Sequence, residues 1–111
     1  MIILTMASAV SLLAVQASVN APRNAFAACI KEADSRAKTE KIKPDAFGEY
    51  VRSACSPAGA KLKSALVAFD VKNGIGRTQA AADAQMVVDD TVDAAVRTFK
   101  RLNSEVAEVQ Q

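Results

Sequence analysis

The two cysteines, Cys29 and Cys55, are the residues of this chain whose type and spacing most clearly allow chemistry. Each lies thirteen residues from Ile42, so two helical arms reversing near Ile42 would bring them face to face. In an oxidising compartment such a pair is a disulfide. The alternatives are two buried free thiols in a reducing compartment, or a redox-active pair. The latter has no C-x-x-C spacing and no helix N-terminus to depress a thiol pKa. The chain has no histidine. That removes the Ser-His-Asp and Cys-His nucleophile systems and every imidazole metal site. The densest carboxylate group is Asp83, Asp89, Asp90 and Asp93. At helical spacing these residues read either as a solvated face or as a site for a hard cation. Arg52, Lys61 and Lys63 could line a basic strip. Gly74-Ile75-Gly76-Arg77 carries a G-x-G ahead of a helix, but position 79 is Gln79 where a nucleotide fingerprint needs glycine, so an interhelical turn is the expectation. No catalytic residue, cofactor site or metal site follows from the sequence, and the chain is read as a non-enzyme.

The elements that must hold these residues are helical. Half of the 111 residues are hydrophobic, yet only five are aromatic, and Gly and Pro together number seven. Much of the apolar content is alanine, which favours helix over sheet and gives a core of small side chains. At about 0.8 kcal/mol per buried CH₂, such a core leaves room for a covalent staple to matter.

Met1 to Ala21 carries no charged side chain. It reads as a signal peptide over residues 1–17, with a signal-type helix. Val15-Gln16-Ala17 fits a cut before Ser18. Val19-Asn20-Ala21 fits a cut before Pro22, which places an unfavourable proline just after the scissile bond. The α-amino group supplies the only positive charge ahead of the apolar run. An uncleaved membrane anchor over residues 1–19 is the alternative, since the run approaches the roughly 20 residues that a span requires.

Residues 22–111 read as a single helical domain. From Pro22 to Lys38, Phe26, Cys29, Ile30, Ala33 and Ala37 share one helical face, with Asn24 or a near neighbour as N-cap. Pro44 opens a second helix with Asp45 beside it. Its stripe is Phe47, Val51, Ala54 and Cys55, continued by Ala58, Leu62, Ala65, Leu66 and Phe69. Ser56-Pro57 interrupts it, which predicts a kink or a second helix capped by Ser56. Asn73-Gly74 predicts a left-handed C-terminal cap. The last helix, with Gly76 as N-cap, has the clearest period: Ala81, Gln85, Val88, Val92, Ala95, Phe99, Leu102, Val106 and Val109. The fold expected is all-α, an up-and-down bundle of three main helices, the second kinked near Pro57, behind the signal-type helix.

Charge is uneven. Residues 23–77 hold a net +5 and residues 78–111 a net −3, within a total of +2. The total is too small to argue for nucleic acid. The asymmetry predicts pairing of the last helix with earlier ones, or a basic face meeting an anionic partner. Leu102, Val106 and Val109 offer a homo-oligomer contact if the last helix projects.

The run Cys29-Ile30-Lys31-Glu32-Ala33, with Cys55 and Ala68-Phe69-Asp70-Val71-Lys72-Asn73-Gly74-Ile75, resembles small secreted α-helical proteins of Gram-negative bacteria that carry one cysteine pair and no assigned function. The resemblance spans roughly residues 26–100. It implies a periplasmic or secreted helical domain and supplies no catalytic residues. The function expected is a non-enzymatic binding or structural module with a protein or envelope partner. A membrane-tethered envelope accessory protein is the alternative.

Overall fold

The computed structural model describes the backbone of residues 6–110 and the side chains of residues 18–103. Four helices make up the described chain: α1 Met6–Glu40, α2 Pro44–Ala54, α3 Ser56–Lys72 and α4 Arg77–Gln110. The chain reverses at 41–43 and again at 73–76. The middle arm, α2 followed by α3, packs against both long helices, while α1 and α4 scarcely touch. Among the described residues no helix is long and apolar enough to cross a membrane.

Three expectations change. The first helix does not begin near Pro22. It runs unbroken through Pro22, and Asn24 lies inside it rather than capping it. Proline's fixed φ is helical, so the loss is one ladder bond and a crowded preceding turn. Ala17, Ala21, Ala25, Ala27 and Ala28 favour helix on both sides. Val19 and Phe26 are buried on either side of the proline, so both segments are held to the bundle. No separate signal-type helix is set off from α1. Residues 1–5 lie outside the described residues, as do the side chains of residues 6–17.

The second change is that the kink near Pro57 is a full break one residue long. Cys55 (φ −109°, ψ 16°) closes α2 through its N–H to the Val51 carbonyl, 2.9 Å, and opens α3 by accepting the Gly59 N–H, 2.9 Å. Cys55 is therefore the N-cap residue where Ser56 was expected, and no side-chain cap bond is made. Pro57 in the first turn has no N–H to place, which is why the break falls just before it.

The third change concerns the face of α4. Ala80, Ala84, Val92 and Phe99 are buried, whereas Gln85 is exposed and Ala81 only half-buried. The predicted seam holds from Val88 to Phe99 and slips by one position before it. The partner changes along α4, α3 over its first half and α2 over its second, so the buried stripe rotates.

Both reversals use the same cap. Ile75 N–H reaches Asp70 O at 3.0 Å and Gly74 N–H reaches Val71 O at 3.1 Å, with Gly74 at φ 91°. Ile42 N–H reaches Ala37 O at 2.9 Å and Lys41 N–H reaches Lys38 O at 3.3 Å, with Lys41 at φ 58°. These are paired Schellman bonds, and they satisfy carbonyls the helix cannot. Glycine takes the left-handed angle freely; Lys41 takes it at a cost of about 1 kcal/mol. Ile42 then packs on the core beside Ala37.

The core joins Phe26, Ile30, Ala33 and Ala37 of α1 to Phe47, Val51, Cys55, Leu62, Val92 and Phe99. Phe47 and Phe99 stack with centroids 4.0 Å apart and planes within 11°. Buried alanines and Gly59 bring the helices close. A Cβ on Gly59 would stand 3.3 Å from the Phe26 ring.

Candidate functional site

Cys29 is half-buried on α1 and Cys55 is buried at the α2–α3 joint. They stand at disulfide distance, with Cα atoms 5.8 Å apart. The reversal at 41–43 aligns the two arms so that both stripes face inward, as the equal spacing about Ile42 requires.

Some of the charged residues meet across helices. The Arg52 guanidinium donates to Asp89 Oδ1 at 2.8 Å and to Asp93 Oδ1 at 3.5 Å, spanning carboxylates one turn apart on α4. Lys63 Nζ donates to Gln85 Oε1 at 3.0 Å, and Gln85 Nε2 donates onward to Asp89 Oδ1 at 3.1 Å. Hydrogen bonds from Arg52 and then Gln85 hold the Asp89 carboxyl below the usual carboxylate range. Asp83 accepts from Gln79 Nε2 at 2.7 Å, and Asp90 is exposed on a different side of the helix. Asp89 and Asp93 thus share Arg52, while Asp83 pairs with Gln79 and Asp90 stands apart. Among the described residues no group of three or more His, Cys, Asp or Glu is placed to hold a metal ion. Arg52 and Lys63 of the expected basic strip turn to α4, and Lys61 is exposed. Each exposed pair is worth about 1 kcal/mol or less.

Gly74 to Arg77 forms the α3–α4 turn, with Gly76 O accepting the Ala80 N–H at 2.9 Å as an N-cap carbonyl does. Phe26, Phe47 and Phe99 are core residues. Tyr50 is half-buried beside the core. Its phenol titrates above the ordinary value because of partial burial and then the Glu40 carboxylate it hydrogen-bonds to.

Two clefts remain. One, of about 360 Å³, lies over Phe26, Cys55, Gly59, Val88 and Val92, and is overhung by Arg52, Lys63 and Gln85. The larger, of about 530 Å³, lies between the start of the described part of α1 and helices α3 and α4. Val19, Leu66, Phe69, Ala84 and Val87 give it an apolar floor, and Asn20, Arg23, Asp70 and Asp83 a rim of both charge signs. An apolar trough with mixed polar edges suits the side chains of a peptide or helix better than a small charged metabolite.

Reading the sequence placed Leu66 and Phe69 on an apolar stripe but left Val19 in the signal-type segment. The signal was present. Val19 precedes Phe26 by seven residues, so the period of Phe26, Ile30, Ala33 and Ala37 continues backward through Pro22. Leu102 is exposed at the end of the described side chains, and Val106 and Val109 lie beyond them. Comparison with protein-family models, curated proteins and solved structures finds no match for this chain.

Proposed function

We propose that the chain is an exported helical module of the periplasm or extracellular space, oxidised at Cys29–Cys55, that acts by binding a protein or envelope partner and not by catalysis. In this reading residues 1–17 are a signal peptide and the remainder is one domain. The observation that carries the binding reading is the larger cleft: an apolar floor reached from solvent, framed by Arg23, Asp70 and Asp83. Export is supported by the cysteine pair at disulfide distance together with the uncharged, apolar first 21 residues. The likeness to small secreted helical proteins points the same way. The test is thiol counting on the unreduced protein recovered from the envelope. No reactive thiol is expected, and two would overturn the oxidised reading. Binding is tested by cross-linking in the intact envelope from a photoreactive residue placed at Phe69. A discrete adduct is the expected result. No adduct from Phe69, with adducts from a control position such as Met86 (60% exposed), would move the binding face elsewhere.

A second reading keeps residues 1–19 as an uncleaved anchor of an envelope accessory protein. The continuity of α1 from Met6 favours it, since a retained segment would run straight into the domain. Carbonate extraction of membranes separates the two: an anchored chain stays in the pellet. Self-association through the end of α4 also belongs to this proposal, with Leu102 (37% exposed) at its near edge. Truncation after Arg101 should lower the mass seen by sedimentation if that contact is used.

A further inference from the structure

We propose that the outward face of α3 and the turn at 73–76 form a docking surface for a membrane that carries anionic lipid headgroups. This extends the envelope reading to lipid and places the contact on a face distinct from the larger cleft, so the two stand or fall separately.

Ser64, Val67, Ala68 and Val71 recur at helical spacing on the side of α3 away from Leu62 and Phe69, and they floor an open groove of about 390 Å³. Lys63 and Arg77 complete its lining. Lys61 and Lys72, about three helical turns apart, border it on the side opposite Lys63. Among the described residues none of these four cations makes an ion pair, whereas Arg52 on the preceding helix holds two carboxylates. Asp70, the one carboxylate of α3, lies on the rim of the larger cleft instead. Residues 56–77 thus carry four positive charges against one negative. Where this face ends, the turn presents Ile75, 37% exposed, between Lys72 and Arg77. Its N–H bond to Asp70 O and the left-handed Gly74 before it hold it there. A large apolar side chain between cations, beside half-buried valines, matches a headgroup layer. The cations meet phosphates and Ile75 enters the acyl boundary.

A second copy of the chain is a poor occupant, because a twofold axis through this face would oppose like charges. An acidic protein would satisfy the cations, but the position of the turn favours lipid. Val19 shares the larger cleft with Leu66 and Phe69, and α1 continues past them to Met6 through an uncharged stretch. In both readings above that stretch leads to the membrane. The 73–76 turn lies at the same end of the bundle, since α3 runs antiparallel to α1 and ends there.

The chain has no tryptophan, so Ile75→Trp gives a single fluorescent reporter. The full chain carrying it is titrated with vesicles of phosphatidylglycerol and phosphatidylcholine in equal parts, and with vesicles of phosphatidylcholine alone. The expected result is a blue shift of the indole emission with the anionic vesicles, absent with the uncharged ones. The shift should be reversed by about 1 M salt, where the Debye length is about 3 Å. Met86→Trp, at an exposed position on α4, should show no shift. Adding Lys72→Gln and Arg77→Gln to the reporter should raise the lipid needed for half the shift about 30-fold, or about fivefold for each cation. Lys31→Gln with Lys43→Gln removes the same charge elsewhere and should change it by less than about threefold. No shift at position 75, an equal shift with uncharged vesicles, the same shift at position 86, or equal losses in the two charge variants would each overturn the proposal. All four leave binding at the larger cleft standing.

Discussion

The two ends of the bundle are built differently. At the end near the 41–43 turn, Phe47 and Phe99 meet face to face, Val51 and Val92 are fully buried beside them, and the two rings line neither of the clefts over Phe26 and Phe69. At the other end the buried α4 residues are Ala80 and Ala84, Leu66 and Phe69 are only half-buried, and a cleft of about 530 Å³ opens. Large rings fill space between helices, while alanines let backbones approach but leave gaps wherever the axes diverge. The closed end is therefore where the fold is secured, and the open end leaves apolar side chains within reach of solvent.

The largest test of this contrast is Phe99→Ala, which should cost about 3–5 kcal/mol of unfolding free energy, whereas Phe69→Ala should cost less than half as much. Urea melts of both variants measure the gap; equal losses would erase the distinction between the ends. Replacing both cysteines with alanine should cost about 3.5 kcal/mol if the pair is oxidised, from the chain-entropy relation for a separation of 26 residues. A loss that persists when parent and variant are compared under full reduction would assign it to packing instead. Val19→Ala should cost about 1.5 kcal/mol, two methyl groups' worth, and so show that the open end still has a load-carrying contact. Lys41→Gly should add about 0.5–1 kcal/mol by relieving the left-handed angle at the closed end, readable as a rise in Tm. The smallest effect belongs to Asp89. Its folded pKa is depressed by Arg52, so its contribution is present above the unfolded carboxylate pKa and lost as pH falls through the folded value. Because the pair is exposed, Asp89→Asn should cost under about 1 kcal/mol at pH 7 and nothing well below about pH 4.

Much of this architecture was legible in the residue pattern. The stripe of Phe26, Ile30, Ala33 and Ala37 is buried as its period requires, and Phe47 and Val51 likewise. Asn73-Gly74 marks a left-handed cap because glycine alone takes φ 91° without strain. What periodicity does not carry is the identity of the neighbour. It gives a face but not the change of partner that rotates the α4 stripe from Ala81 to Ala80. Nor does it show that Arg52 would bridge Asp89 and Asp93 from another helix, although the charge asymmetry between the two parts of the chain pointed to such pairing. Ala54 sat on the predicted stripe and is exposed, because the helix ends there and Cys55 turns the chain. Pro22 misled for a different reason. A proline is read as a boundary from local rules, but contacts on both sides of it held the helix through. The larger cleft was illegible as a site because it depends on that continuity.

The position of Cys55 at the joint between α2 and α3 bears on the order of folding. Both cysteines precede every residue of α4, so the loop between them can be closed before the 34 residues of α4 have emerged. A chain that folds as it emerges would meet α4 with a hairpin already tied at its midpoint. The late helix would then need to find one prepared groove, with Phe99 seating against Phe47, and the search it must conduct would be shorter than for an untied chain.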